Sequence, residues 1–306
     1  MATQEKYGSH LLKLANWLAK RDITRLEQVS RVLAREWGAE LYEYKSPRTG
    51  RCWSPATIKQ AVCAARSFFK WCLVEDLIQD IVANALKIPK VENSTQRTLD
   101  ITEAQQVLKA CCDDTVAGIR NRALISLMLD SGLRSSEICR VQMDDLRFRM
   151  LLVDPMSGGL VEINFLTVLR KGGQKKSAYF GLETRQYLER WLEIRRNVAK
   201  TGVNELFVSL GGIKPGTGLT RDGLRVIIRK LAQHARVTHF SPHALRRSFA
   251  CFLDAAGASS RKIQIFGGWS SIREVETYTR GIQIGSQYVQ YSPVSFLIRI
   301  NGIINQ

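Results

Sequence analysis

Apolar residues recur every three or four positions over the first ninety residues, the spacing that places side chains on one face of an α-helix. One such stretch begins at Tyr7, and an amphipathic stretch rich in Arg and Glu follows from about Ile23 to Leu41. Ser54-Pro55 has the sequence of an N-cap followed by a proline at the first helical position, and an apolar face then extends from Ile58 to Leu73. The pattern predicts an all-helical domain over residues 1–90.

The helical pattern breaks at KIPKVENSTQRT, which begins at Lys87 and combines a proline with a polar run. This composition is typical of an interdomain linker, which we place at residues 91–98. A helix is predicted to start at Thr102, because Gln105 three residues later completes a capping-box pattern. RNRALISLMLDSG predicts a further, strongly apolar helix that ends near Gly132.

Strand-like patterns occupy the region between residues 150 and 180. MLLVD, LVEINFLTVL and SAYFG are separated by glycine-rich turns, which predicts a small antiparallel sheet with an extended hairpin. Helical periodicity returns from Leu182, and later helices are predicted to begin after the N-caps Thr220, Ser241 and Ser271. The predicted fold is therefore mainly α with a small antiparallel β-sheet. The all-helical N-terminal domain is followed by a mixed α/β (α+β) domain over 99–284 and a C-terminal tail over 285–306.

Charge indicates the class of partner. The 306 residues include 45 Lys and Arg against 28 Asp and Glu, a formal net charge of +17. Residues 1–96 carry a net +5 and residues 97–306 a net +12, so both domains are basic. A basic surface of this kind suits a polyanion, of which nucleic acid is the commonest.

Cysteine usage and hydropathy indicate the compartment. The seven cysteines form no C-x-x-C pair, which favours free thiols in a reducing environment and disfavours structural zinc. No stretch has the length of a membrane span, and the N-terminus lacks a signal-peptide core. The glycine-rich GGIKPGTGLT lacks the spacing of a phosphate-binding loop, so ATP is not indicated. We expect a cytoplasmic protein of a prokaryote, a phage or another mobile element.

A cluster of basic side chains begins the helix predicted after Ser241. In HALRRSFA, Arg246 and Arg247 lie three and four positions after His243, so both arginines can share its face of the helix. Two guanidinium groups beside an imidazole near the positive end of a helix repel one another. This arrangement predicts that an anion binds nearby.

Further motifs accompany this helix. In chain order they are Arg134 with Glu137 in SGLRSSEI, Lys171 in LRKGGQKKS, His243 with Arg246 in SPHALRRSFA, and Trp269 with Tyr278 in FGGWSSIREVETYTRG. The ordered set closely resembles the signature of the tyrosine recombinase (phage integrase) family. By motif the resemblance covers residues 97–281. The N-terminal helices, with TIKQAVCAARSFFKW, are less specifically similar to the family's core-binding domain, and no arm-binding domain is expected before them.

The resemblance implies a chemistry for each residue. Arg134 and Arg246 would bind the non-bridging oxygens of the scissile phosphate, to which guanidinium groups fit well. Tyr278 would attack the phosphorus and form a 3′-phosphotyrosine, with His243 as proton acceptor and Lys171 as general acid. Trp269, which replaces the commoner histidine, would donate a hydrogen bond, and Glu137 would orient its neighbours. FGGW stands where LGH is usual. No metal, ATP or other cofactor is expected, because the set lacks a carboxylate cluster that could hold Mg²⁺.

Double-stranded DNA with inverted-repeat core sites is the expected partner, bound by a homotetramer. An accessory DNA-bending protein is a further possible partner. Further DNA-binding candidates are Arg51, Lys59, Arg66, Lys175, Lys176 and Arg247. The apolar stripe of Phe296, Ile300, Ile303 and Ile304 in the tail predicts a helix that docks on a neighbouring protomer, with packing on its own domain as the alternative.

Several alternatives stay open at this stage. Arg134 and Glu137 could form an ordinary helix-surface ion pair, Lys171 could only touch phosphate, Trp269 could be a packing residue, and Tyr278 could be a half-buried core tyrosine. Two rival functions share the pattern. One is a type IB topoisomerase that cuts and rejoins DNA without exchanging strands, and the other is a catalytically degenerate DNA-binding protein.

Overall fold

A computed structural model describes residues 2–47, 49–91, 97–111, 114–154, 158–170, 173–238 and 240–279, without the side chains of residues 2 and 3. The chain divides into two compact units, Met1–Ser94 and Thr95–Gln306. The mainly helical fold with a small antiparallel sheet confirms the predicted fold class. The linker at 91–98 and the roles assigned to the two domains stay predictions.

The first unit is built mainly from helices over its described residues, with one isolated antiparallel bridge between Lys45 and Cys52. Its helices are α1 (Ala2–Ala19), α2 (Arg31–Glu40) and α3 (Pro55–Val74), with short 3₁₀ turns at Leu26–Gln28 and Val82–Ala85. Helix α3 begins as predicted, since the Ser54 hydroxyl accepts a hydrogen bond from the Thr57 amide at 3.2 Å. Its apolar face supplies Ile58, Val62, Ala65 and Phe69 to a core that also buries Leu14 and Trp37.

The second unit packs helices around a three-stranded sheet. Its elements are α4 (Ile101–Lys109), α5 (Val116–Ser131), α6 (Ser135–Ile138), β1 (Leu146–Val153), β2 (Leu160–Leu169), β3 (Lys175–Phe180), α7 (Leu182–Val198), α8 (Arg221–Ala235), α9 (Pro242–Ala255), α10 (Ser260–Gly267) and α11 (Ile272–Thr279). Both strand pairs are antiparallel, in the order β1-β2-β3. The core between sheet and helices includes the fully buried Trp191, Leu124 and Leu166.

The start of α4 differs from the prediction. The helix begins at Ile101 with Asp100 as N-cap, and the Asp100 carboxylate accepts from the Glu103 amide at 2.8 Å. Glu103 in turn accepts from the Asp100 amide at 3.1 Å. The prediction from Thr102 was wrong because two capping patterns overlap, and the Asp100–Glu103 pair forms a complete capping box. The N-caps Thr220 and Ser241 are confirmed, each accepting from the amide three residues later.

The β1–β2 hairpin extends past the end of β3. Strand β3 pairs with β2 over Asn164–Leu169, whereas β1 pairs with β2 as far as Val153 and Leu160. Large apolar side chains at this far end are exposed, including Leu151, Val153 and Leu160. Among the described residues, no helix combines the length and the apolar character needed to cross a bilayer.

Candidate active site

The loop between α5 and α6 presents Arg134 with a fixed partner. Helix α5 ends on Gly132, which adopts the left-handed conformation (φ 59°), and a Cβ there would overlap the ring of Phe249. Arg134 immediately precedes α6. Its amide and its Nη1 donate to the two carboxylate oxygens of Glu137, each at 2.8 Å. Glu137 is buried, while 39% of the Arg134 side chain remains exposed. A buried carboxylate thus orients a guanidinium that still faces outward.

Arg246 lies in the second turn of α9 and connects two helix ends. Its side chain is buried, Nη1 donates to the Gly132 carbonyl, and Nη2 donates to the Gly267 carbonyl at 2.9 Å. These carbonyls belong to the C-terminal ends of α5 and α10, where helices leave unpaired acceptors and partial negative charge. The two bonds fix the plane of the guanidinium and use one N–H group on each terminal nitrogen.

Positive charge is in surplus around Arg246. Burial, followed by the charge of Arg134, lowers the pKa of Arg246 to about 10, while Glu137 and Tyr278 act in the opposite direction. Partial burial and the neighbouring cations Arg247, Arg246 and Arg134 lower the pKa of His243 below its usual range. An anion bound here would relieve this repulsion, as the sequence pattern predicted.

Trp269 and Tyr278 complete the cluster beside Arg246. The indole of Trp269 is buried and covers the guanidinium, with Cζ 4.3 Å from its ring centroid. Its ring also stacks on Phe249 and lies 5.8 Å from the half-buried ring of Tyr278 on α11. The Cys251 thiol donates to the Tyr278 backbone carbonyl at 3.2 Å. The structure thus gives Trp269 a packing contact with Arg246, and its hydrogen bond to phosphate stays a prediction.

The two glycines of FGGW make room for two large side chains. A Cβ on Gly267 would overlap the indole of Trp269, and a Cβ on Gly268 would overlap the guanidinium of Arg170. Gly268 also caps α10 in the left-handed conformation (φ 58°). The departure from the usual LGH therefore has a steric explanation: a tryptophan and an arginine both pack against this turn.

Arg170 lies in the same cluster, although no sequence motif singled it out. It follows β2 directly, is 7% exposed, and donates from Nη1 to the Gly267 carbonyl that Arg246 also uses. Its Nε and Nη2 are buried, and neither has an acceptor among the described residues. Burial lowers the pKa of Arg170, with Glu137 opposing and Arg134 adding to the shift. In the sequence, Arg170 is one of several cations in a basic turn. The signal available was the glycine pair of FGGW, which indicates that a large side chain from elsewhere in the chain packs against that turn.

The remaining predicted residues occupy different surroundings. Lys171 and the tail stripe lie outside the described residues. Lys175 and Lys176 are exposed at the start of β3, opposite Leu169 and Val168 at the end of β2. Arg247 is partly buried, with Nη1 3.4 Å from the Arg97 carbonyl and Cζ 5.8 Å from the Tyr278 ring centroid.

In the first unit, Arg51 and Lys59 are exposed. Arg66 is half-buried, and its Nη1 donates to the Leu86 carbonyl at 2.6 Å, which occupies part of its guanidinium. Across the described part of the chain, no three His, Cys, Asp or Glu side chains lie close enough together to hold a metal ion.

The sequence and the fold of this chain match those of enzymes that break and rejoin DNA. A sequence model of the phage integrase family matches residues 97–282. Tyrosine recombinase XerC of Xanthomonas campestris pv. campestris is 28% identical over 278 residues, which cover 90% of this chain and 78% of the relative. XerC of Corynebacterium efficiens is 30% identical over 227 residues, 74% of this chain and 67% of the relative. The chain belongs to the phage integrase family, the tyrosine recombinases.

Solved structures show the same fold. The XerH site-specific recombinase bound to palindromic difH substrate, in a post-cleavage complex, matches with a TM-score of 0.68 at 21% identity, over 94% of this chain and 79% of that one. The Tn1549 transposon integrase in complex with transposon right-end DNA matches with a TM-score of 0.64 at 18% identity, over 94% and 93%. The family and its relatives support site-specific recombination as the general activity.

Proposed function

We propose that this protein is a site-specific DNA recombinase that cleaves and rejoins strands through a covalent 3′-phosphotyrosyl intermediate at Tyr278. The observation that carries the proposal is the convergence of Arg134 and Arg246 beside Tyr278, with Glu137 as the carboxylate that partners Arg134. A cation-rich site next to a tyrosine suits a phosphodiester whose phosphorus that tyrosine attacks.

The arginines bind and polarise the phosphate. Arg246 is held by the Gly132 and Gly267 carbonyls, so its remaining N–H groups have a fixed direction toward a non-bridging oxygen. Arg134, oriented by Glu137, binds the other non-bridging oxygen. Both contacts strengthen as the phosphorane gains negative charge, which lowers the barrier to cleavage.

Proton transfer completes the step. A neutral His243 accepts the Tyr278 phenolic proton, and its lowered pKa keeps the imidazole neutral at physiological pH. The phenolic oxygen forms a bond to phosphorus as the bond to the 5′ oxygen breaks. Lys171 donates a proton to that leaving oxygen. Attack by another 5′ hydroxyl reverses the bond changes and rejoins the strand, so the linkage energy is retained without a nucleotide cofactor.

The helical first unit is proposed as the core-binding domain. Exposed Arg51 and Lys59 are its phosphate-contact candidates, whereas Arg66 already donates to a backbone carbonyl. The substrate is duplex DNA with inverted-repeat core sites, brought together by four protomers in the cytoplasm, with an accessory DNA-bending protein where the site requires one. The net charge of +17 supports the polyanionic partner.

A covalent capture experiment tests the function. Duplexes with a randomised core and a nick that traps the cleaved strand are incubated with the protein, and SDS-resistant adducts are isolated, sequenced and re-tested. Wild-type protein should enrich a site with inverted repeats and form an adduct on it. Tyr278→Phe should bind the same site without forming an adduct, because it lacks the attacking oxygen.

Tyr187→Phe is the matched control, since Tyr187 is a half-buried tyrosine that packs against Arg122 on another part of the unit. It should form adducts at the wild-type rate. A full adduct yield from Tyr278→Phe would exclude Tyr278 as the nucleophile. Enrichment of no site, together with relaxation of any supercoiled plasmid, would favour the topoisomerase function instead.

A further inference from the structure

A third guanidinium, Arg170, lies beside the phosphate-binding arginines. Its Nη1 shares the Gly267 carbonyl with Nη2 of Arg246, so one oxygen accepts from two guanidinium groups. The charges of Arg134 and Glu137 both act on Arg170, and the charge of Arg170 acts on Arg246. Arg170 is thus part of the same electrostatic cluster, although its buried Nε and Nη2 are shielded from any ligand that arrives from solvent.

We propose that Arg170 is a positioning residue for strand cleavage, which fixes the Gly267 carbonyl and thereby holds the Arg246 guanidinium in its phosphate-binding orientation. The inference rests on the proposed function. Gly267 and Gly268 end α10 with no side chains of their own to hold the turn. The guanidinium of Arg170 fills the space that a Cβ on Gly268 would occupy. With Arg170 in place, the carbonyl is restrained from one side and is an immobile acceptor for Arg246.

The pattern of hydrogen bonds argues against a role in stability alone. Arg195 has the same 7% exposure, but its Nε and Nη2 donate to the backbone carbonyls of Val203, Glu205 and Leu206. Arg170 makes one side-chain bond to a described residue and has two buried nitrogens with no acceptor there. A buried cation with unfilled donors stabilises a fold little, and an apolar side chain of similar length often replaces it without loss. Removing Arg170 also leaves the Gly267 carbonyl bonded to Arg246.

Arg170→Met and the matched control Arg195→Met separate these roles. Thermal unfolding should show Arg170→Met within a few degrees of wild type or above it. Arg195→Met should unfold several degrees lower, because the Val203 and Glu205 carbonyls lose their Arg195 donors and the Leu206 carbonyl keeps only Trp191 Nε1. Cleavage is then followed in single turnover on the nicked duplex selected by wild-type protein, below both unfolding transitions. Arg170→Met should bind this duplex normally and cleave about 10- to 100-fold more slowly, because small misplacements of a catalytic group cost rates of this order. Arg195→Met should cleave at the wild-type rate.

Two further measurements identify the partner through which Arg170 acts. Combined with Arg246→Lys, Arg170→Met should add little to the defect of Arg246→Lys alone, since both changes disturb one guanidinium. On a duplex with a 5′-bridging sulfur, which leaves without protonation, the Arg170→Met defect should persist.

Each alternative result overturns the inference. Cleavage at the wild-type rate by Arg170→Met, or unfolding at as low a temperature as Arg195→Met, would contradict a positioning role. Full additivity with Arg246→Lys would mean that Arg170 does not act through Arg246. Rescue by the bridging sulfur would instead assign Arg170 to the protonation of the leaving oxygen. Failure of wild-type protein to form any adduct would instead overturn the proposed function, and this inference with it.

Discussion

At the scale of single residues, the site depends on arginines that differ in burial and partners. Arg134 is partly exposed and bonded to a carboxylate, whereas Arg246 is buried and bonded to two backbone carbonyls. A bonded carboxylate offsets the charge of Arg134, whereas Arg246 is bonded to carbonyl dipoles and has no carboxylate among its hydrogen-bond partners in the described residues. In the proposed function, we therefore expect the buried Arg246 to bind the phosphate with the least competition from neighbouring groups.

His243 should titrate below the ordinary histidine pKa of about 6.5 in the free protein, because partial burial and nearby cations disfavour its charged form. The unfolded chain then takes up this proton first as pH falls. The stability contributed by neutral His243 is therefore present above about pH 6.5 and is lost as pH drops through its lowered pKa. NMR titration, with His243→Gln to assign the signal, measures the value. A midpoint at or above 6.5 would contradict the electrostatic description.

Lys171 should behave as a general acid. Lys171→Ala should cleave an ordinary site about 10²–10⁴-fold more slowly, and should recover most of that rate on a 5′-bridging phosphorothioate, whose sulfur departs without a proton. Single-turnover cleavage of both substrates measures the ratio. Equal defects on the two would limit Lys171 to phosphate binding and make Lys175 and Lys176, exposed on β3, the next candidates.

At the scale of elements, two helix C-termini are organised in the same way. Helices α5 and α10 both end in a left-handed glycine, Gly132 and Gly268, and both direct a terminal carbonyl to Arg246. The glycines let each chain reverse sharply, so the carbonyls can converge on one guanidinium. The ends of helices, more than their faces, build this site.

Gly268→Ala tests that arrangement. The alanine would have to adopt a left-handed backbone conformation, and its Cβ would also displace the Arg170 guanidinium. Gly173→Ala is the matched control, since Gly173 has φ 79° with nothing within 4 Å of the added atom, so it carries only the backbone strain of about 1–3 kcal/mol. Urea unfolding should show a further loss of roughly 1–3 kcal/mol for Gly268→Ala, typical of overpacking. Equal losses of stability for the two variants would mean that the Arg170 side chain moves aside at no energetic cost.

The elements themselves were largely predictable from the sequence. Helix α3 showed a clear helical period, and α5 and β2 were recognisable as strongly apolar runs. The Ser54, Thr220 and Ser241 caps stood out because their chemistry is local. Arg170 could not be predicted in the same way. Its burial depends on the Gly267 carbonyl 97 positions away, and local sequence carries no record of that contact.

At the scale of the whole molecule, each unit has its own core and its own positive charge. The proposed division of labour gives the first unit to DNA binding and the second to chemistry. Recombination then needs contacts between protomers, for which the apolar stripe in the tail is the candidate in the sequence.

Deleting residues 292–306 should leave a folded protein that binds its site but assembles poorly. Sedimentation with paired-site DNA should show loss of the four-subunit complex, and strand exchange should fall more than single-site binding, because one docking contact per protomer is missing. Circular dichroism checks the fold. Unfolding of the truncated protein would indicate that the tail packs on its own domain, and normal assembly with normal recombination would contradict both roles.

The double attachment of Arg246 also has a consequence during synthesis. The contact between Arg246 and Gly132 spans 114 positions, and Gly267 lies a further 21 along the chain. Such non-local contacts form only after the intervening segments are available. On the proposed roles of the two units, a nascent chain can therefore fold the basic first unit and bind nucleic acid before it can cut it. The proposed cleavage site is then completed only after α10 and α11 have been synthesised.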